Sequence, residues 1–148
     1  MSNLTYEKLR KHITGNLNPR IKEFRKIVSD INNHFKNLEL GISVWYPEKI
    51  YQANLGGIDA ESYIGYSRLE GKWGLIIKTV ERDQKSGTIV GHRLVPIESS
   101  RNMEVIVNAL RKVPQLMRLI QEAVDRQTAA LENLDDEFSK FRDSECEF

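Results

Sequence analysis

The sequence predicts an α+β fold, because apolar residues recur with a helical period near both ends of the chain and with a strand-like alternation in the middle. Its 148 residues, 40% hydrophobic and 29% charged, suit one globular domain rather than a disordered chain. We expect a small antiparallel β-meander of about four strands between a long N-terminal helix and C-terminal helices, with coiled-coil-like terminal helices. The predicted parts of this single domain, residues 1–148, are an N-terminal helical arm (1–38), the sheet (39–97), C-terminal helices (99–141) and an acidic tail (142–148).

The start of the long N-terminal helix is predicted at Asn18 and Pro19, since Asn is a favoured helix cap and Pro fits the first helical position. A shorter helical segment precedes the cap and is expected to break near Gly15 and Asn16. Apolar residues around and beyond the cap are spaced alternately by four and three, which is the 3.5-residue period of a coiled-coil seam. This seam consists of Leu17, Ile21, Phe24, Val28, Ile31, Phe35 and Leu38.

The middle of the chain has the features of antiparallel strands joined by short turns. Residues 63–69 and 73–80 form a predicted hairpin around Glu70 and Gly71, and residues 41–46 and 88–95 are the other two strands. Residues 47–57 form a less regular stretch after the first of these strands. The hairpin alternation predicts that one face carries Trp73, Leu75 and Ile77.

The last third of the chain predicts two helices in succession. Ser99 or Ser100 is the expected cap of a short helix, which should end or kink where Val113 precedes Pro114. Pro114 then begins the longest helix, whose apolar residues again alternate four and three. Its seam consists of Val113, Met117, Ile120, Val124, Gln127, Leu131, Leu134, Phe138 and Phe141.

Charge is distributed unevenly, although the net charge is only +1. Residues 1–36 contain eight basic and three acidic side chains, whereas residues 121–148 contain nine acidic and three basic ones. Burying a large apolar side chain stabilises by about 1.5–3 kcal/mol, whereas an exposed ion pair contributes only a few tenths of a kcal/mol. The seams should therefore drive helix association, and the flanking charges should select the partner.

The longer C-terminal helix should extend beyond the N-terminal one, leaving apolar residues that a homodimer would cover. The predicted oligomer interface consists of Met117, Ile120, Val124, Gln127, Leu131, Leu134, Phe138 and Phe141. Gln127, the polar seam residue, would then fix the register of the pair. The alternative interpretation is that this stripe packs on the sheet of its own chain.

Aromatic and basic residues in the strand region are the best candidates for ligand contacts, because aromatic rings stack on bases and cations bind phosphate. The predicted ligand-binding residues are Tyr66, Arg68, Lys72, His92 and Arg93. The competing interpretation is that the aromatics are sheet core. The basic N-terminal arm could contact phosphates, but a solvated helix face or contact with the acidic C-terminal helix is the favoured interpretation, so nucleic acid is not the favoured partner.

Several kinds of site lack their sequence signature. The histidines His12, His34 and His92 are not spaced as zinc ligands, and neither a nucleophile elbow nor a glycine-rich phosphate loop is present. We therefore predict no metal, no cofactor and no catalytic residue. The single cysteine, Cys146, favours a reducing cytoplasmic location, and we expect neither a signal peptide nor a membrane span.

The favoured functional hypothesis is a non-catalytic cytoplasmic interaction or assembly protein, homodimeric through its long helices and open to a further protein partner. The alternative is a small-ligand or nucleotide-binding protein with a pocket between sheet and helices. A third hypothesis is a small enzyme whose acid–base groups come from Glu48, Glu61, Tyr66 or His92.

Overall fold

The chain is a mixture of helix and sheet with a long C-terminal helix. The structure, a computed structural model, describes residues 2–146, apart from the side chains of residues 2–4, 9, 12–18 and 144–146. Its elements in chain order are α1 (Ser2–Lys36), β1 (Val44–Trp45), β2 (Tyr51–Asn54), β3 (Ile58–Leu69), β4 (Lys72–Asp83), β5 (Ile89–Pro96), a 3-10 turn (Ile97–Ser99) and α2 (Met103–Cys146).

The five strands form one antiparallel sheet in the order β1-β3-β4-β5, and β2 also pairs with β3. β1 lies opposite Gly65 and Tyr66, while β2 lies opposite the N-terminal half of β3. The strand β2 was not predicted, because it contains four residues between Pro47 and the Gly56–Gly57 pair and is too short for a clear alternation.

The β3–β4 hairpin is confirmed, and its strands are longer than the sequence predicted. Leu69 pairs with Lys72, and the two residues between them, Glu70 and Gly71, have φ values of 51° and 81°. Positive φ at both positions gives the two-residue turn whose twist matches that of antiparallel strands.

The core lies on one face of the sheet, beneath both helices. Tyr66 has its ring between Phe35 of α1, at a centroid distance of 6.2 Å, and Trp73 of β4, at 5.3 Å. Trp73, Leu75 and Ile77 share this face, as the alternation predicted. The remaining buried members of the core are Val28, Ile50, Ile64, Ile97, Val105, Ile106, Ala109, Leu116 and Ile120.

A buried polar side chain joins α1 to the sheet. Leu75 lies one residue beyond the last β4–β5 pair, so its N–H has no strand partner on that side. The Asn32 Oδ1 atom accepts this N–H at 2.8 Å, and Asn32 Nδ2 donates to Glu98 Oε1 at 3.1 Å. Lys36 Nζ lies 3.4 Å from the same Glu98 oxygen. The C-terminal half of α1 is thereby connected to both β4 and the 3-10 turn.

The predicted helix boundaries were wrong at both prolines. Pro19 lies inside α1 and Pro114 lies inside α2, so the helices do not begin at these residues. The break expected near Gly15 and Asn16 is also absent from the helical backbone. A proline removes one hydrogen bond from a helix interior, and the packing of neighbouring turns can outweigh that cost, as Val113 and Leu116 show beside Pro114.

The predicted cap of the C-terminal helix was also wrong. Ser99 ends the 3-10 turn, and Ser100 follows it with an extended backbone. The cap is Asn102, whose Oδ1 accepts the N–H groups of Glu104 at 3.0 Å and Val105 at 3.3 Å.

Candidate functional site

The predicted oligomer seam divides into two parts with different surroundings. Ile120 is only 4% exposed and belongs to the core of its own chain, and Val124 packs against that core. Ile120 is therefore not free to contact a partner, which corrects its assignment to the interface, whereas Val124 is half-buried. Met117 is 42% exposed, and Gln127 is exposed as well.

Beyond Val124, α2 extends away from the core. In the part that we call the distal segment, residues 125–143, all described side chains are exposed. This segment is about 28 Å long at 1.5 Å per residue. Four large apolar residues on it follow a three–four–three spacing and are 44–61% exposed: Leu131, Leu134, Phe138 and Phe141. The distal segment therefore presents one continuous apolar stripe.

The five residues of the predicted ligand site are not assembled in one place. Tyr66 is buried in the core, where its hydroxyl accepts the Leu40 N–H at 3.2 Å. Arg68 and Arg93 face the helices, but their partners on β4 are six residues apart, which corresponds to about 20 Å along a strand. Lys72 and His92 lie on the opposite face of the sheet.

A different set of residues forms a cleft between the helix-facing side of the sheet and the start of α2. This cleft has a volume of about 610 Å³, within the range of roughly 300–1,000 Å³ that is typical of small-molecule sites. Its floor is apolar and includes Ala53, Ala60 and Ile77, and the small side chains of the two alanines leave space open. Its rim carries Arg93 from β5 and Arg101 from the loop before α2.

The cleft is electropositive and rich in hydroxyl groups. Two arginines and no acidic residue line it among the residues that the structure describes. The hydroxyls of Ser62 and Thr79 lie 3.1 Å apart and are hydrogen-bonded to each other. Ser99, Ser100 and Tyr51 also line the cleft. Such a combination of guanidinium and hydroxyl donors above an apolar floor can bind an anion that has an organic body.

Sequence reasoning identified Arg93 of this cleft but missed Arg101 and Ser100. Both lie in the Ser-Ser-Arg-Asn run at 99–102, of which only Ser99 and Ser100 were considered, as alternative helix caps. A basic residue directly before a helix N-terminus was the signal that could have indicated an anion site.

On the face of the sheet away from the helices, a group of side chains interact through a cation–π contact, a hydrogen bond and an ion pair. The Trp45 ring lies directly against Gly65, where a Cβ atom would clash with it, and Lys78 Nζ is 4.6 Å from the centre of that ring. The Tyr63 hydroxyl donates to Glu61 at 2.8 Å, and this hydrogen bond raises the pKa of Tyr63, with burial contributing in the same direction. Glu61 also lies 3.6 Å from Arg82.

The groups proposed for acid–base catalysis do not meet. Glu61 and His92 lie on the face opposite to buried Tyr66, and exposed Glu48 accepts only a long hydrogen bond of 3.5 Å from Tyr46. Among the described residues no three His, Cys, Asp or Glu side chains group as metal ligands, and neither described helix has an apolar stretch able to cross a bilayer.

Comparison with known proteins provides no further assignment. No family model, no curated protein and no solved structure matches the chain.

Proposed function

We propose that this chain is a non-catalytic assembly protein that forms a homodimer by coiled-coil pairing of its distal segment. The observation that carries the proposal is the exposure of Leu131, Leu134 and Phe138 along one side of the distal segment. Burial of a large apolar side chain is worth about 1.5–3 kcal/mol, so these three residues per chain can stabilise a dimer. An exposed apolar stripe of this kind is otherwise an aggregation hazard.

The core of the described chain ends before the distal segment, which favours a partner from another molecule. The last core residue of α2 is Ile120, with Val124 packed beside it, and all described side chains after Val124 are exposed. A second copy supplies a stripe of the same length and spacing. The strict three–four spacing of the distal segment is narrower than the face of a helix that packs on a sheet and is typical of helix–helix pairing.

The charges flanking the stripe favour a parallel pair. With Leu131 and Phe138 at heptad position a, Glu137 takes position g and Arg142 takes position e of the next heptad. In a parallel coiled coil these two positions meet, so Glu137 would face Arg142 of the partner subunit on both sides of the seam. In an antiparallel pair Glu137 would approach its own copy and repel it. Gln127 would oppose Gln127 of the partner subunit and fix the register.

Sedimentation equilibrium tests the proposal with a pair of matched variants. The double change Leu131→Glu and Phe138→Glu places four charges in the proposed seam and should convert a dimer into a monomer. Ala129→Glu and Ser139→Glu together place the same number of charges on exposed positions of the distal segment outside the seam and should leave the dimer intact. A wild-type protein that is monomeric at all concentrations, or a dimer that survives the double change, would overturn the proposal.

A further inference from the structure

The cleft between the sheet and the start of α2 has features that the proposed dimer does not use. Its walls come from β2 to β5 and from residues 99–105, which are distant in sequence from the distal segment. Ligand binding at the cleft can therefore be tested independently of dimer formation.

The two arginines of the cleft are unneutralised. Arg93 and Arg101 form no ion pair with any described residue, and no acidic side chain of the described chain lines the cavity. Two like charges at one cavity repel each other, and an anion placed between them removes that repulsion. The guanidinium group presents its N–H donors as a planar fork that matches the two oxygens of a phosphate or a carboxylate.

Ser100 adds a hydroxyl to the cleft. The residue is nine-tenths buried and lines the cleft, and its hydroxyl has no hydrogen-bond partner among the described residues. Since every fully buried side-chain polar atom in the described part of the chain has a partner, the Ser100 hydroxyl is accessible to solvent. It can therefore donate to a ligand in the cleft without breaking a hydrogen bond within the protein.

The start of α2 adds to the positive potential of the cleft rather than supplying free backbone donors. The Asn102 cap already accepts the N–H groups of Glu104 and Val105. The helix dipole still places a partial positive charge at this end. The main contacts to an anion must therefore come from the arginines and from Ser100.

We propose that the cleft binds a small organic anion, with its phosphate or carboxylate held by Arg93, Arg101 and Ser100 and its apolar or aromatic body on the floor formed by Ala53, Ala60 and Ile77. The volume of about 610 Å³ accommodates a ligand of mononucleotide size. Phosphate and carboxylate share the recognition chemistry, and the experiment separates them.

Isothermal titration calorimetry of the full chain at low ionic strength is the test, with phenyl phosphate, benzoate and inorganic phosphate as probes. We expect one of the two organic anions to bind and inorganic phosphate to bind at least tenfold more weakly, because it has no body for the floor. Phenyl phosphate and benzoate carry the same aromatic ring, so the one that binds more strongly identifies the head group. Absence of binding by both organic anions at millimolar concentration, or equal affinity for inorganic phosphate, would overturn the proposal.

Matched variants locate the site. Arg93→Gln and Arg101→Gln should each weaken binding of the organic anion at least tenfold, and Ser100→Ala should weaken it by a smaller factor. Arg118→Gln removes the same charge from an exposed position on α2 outside the cleft and should leave the affinity unchanged. All four positions can be checked for folding by circular dichroism, and the two arginines are exposed, so their loss should not disturb the core. Equal weakening by Arg118→Gln and Arg93→Gln would show a diffuse charge effect and refute the assigned site.

Discussion

The two halves of α2 belong to one continuous helix but have opposite environments. The proximal segment, which we define as residues 103–124, contributes five buried residues to the core: Val105, Ile106, Ala109, Leu116 and Ile120. The distal segment contributes none, although its apolar residues are as regularly spaced. Apolar periodicity therefore indicates that a helix forms and which side of it is apolar. Whether that side is buried depends on whether the rest of the chain packs against it.

The width of the apolar face separates the two halves. In the proximal segment, adjacent residues such as Val105 and Ile106 are both buried, so the face is broad enough to lie on a sheet. In the distal segment the apolar residues follow only the narrow three–four spacing of a seam. The C-terminal half of α1 shows that narrow spacing does not by itself leave a helix exposed, because Val28 and Phe35 of its four–three series are buried in the core.

The largest expected effect comes from shortening a leucine in each half. Leu116→Ala deletes a fully buried side chain, and we expect it to lower the free energy of unfolding by about 3 kcal/mol. Leu134→Ala deletes the same atoms from an exposed site and should cost less than about 1 kcal/mol when the protein is dilute enough to be monomeric. Urea unfolding of both variants measures the difference. Equal losses would show that the distal segment is packed within its own chain.

A second prediction concerns the buried contact of α1. Asn32→Ala leaves the Leu75 N–H without its acceptor and should cost about 1–3 kcal/mol of unfolding free energy, the typical penalty of an unsatisfied buried donor. Asn33→Ala changes the exposed neighbouring residue and should remain within about 0.5 kcal/mol of the wild type. The urea midpoints of the two variants provide the measurement. If Asn32→Ala lowered the unfolding free energy no more than Asn33→Ala, water would be replacing the lost acceptor.

These two comparisons also show how much of the molecule the sequence could predict. The hairpin at Glu70 and Gly71 and the face shared by Trp73, Leu75 and Ile77 were predictable because they depend on neighbours along one or two strands. The division of α2 was not, since the seam rule treats Ile120 and Leu134 alike and only the position of the sheet distinguishes them.

The candidate cleft was predictable only in part, for the same reason. Arg93 was identified as a basic residue on a strand, but Arg68 belonged to the same predicted set and lies far along the sheet from it. The meeting of Arg93 with Arg101 and Ser100 depends on the path of the loop that leads into α2. The path of a loop cannot be predicted from local residue patterns, and Ser100 was therefore considered only as a helix cap.

A third prediction tests the parallel orientation of the dimer through its flanking charges. Glu137→Arg and Arg142→Glu should each weaken the dimer several-fold, because an exposed ion pair contributes about 0.2–1 kcal/mol and the dimer would contain two of them. The double variant should regain most of the affinity, since the charges meet again with their positions exchanged. Sedimentation equilibrium at low salt measures all four proteins. Additive weakening in the double variant would rule out the parallel register.

The smallest effect is expected on the face of the sheet opposite to the core, where neither half of α2 is involved. The hydrogen bond from Tyr63 to Glu61 raises the pKa of the folded-state phenol above its ordinary value. The unfolded chain therefore ionises first, so the stabilisation is complete below the ordinary tyrosine pKa of about 10 and is lost as the pH rises through the raised value. Tyr63→Phe removes this dependence and should flatten the decline of the urea midpoint between about pH 9 and pH 11. A parallel decline in both proteins would show that other groups control the alkaline transition. The difference in unfolding free energy between Leu116→Ala and Leu134→Ala should be the same below and above this transition.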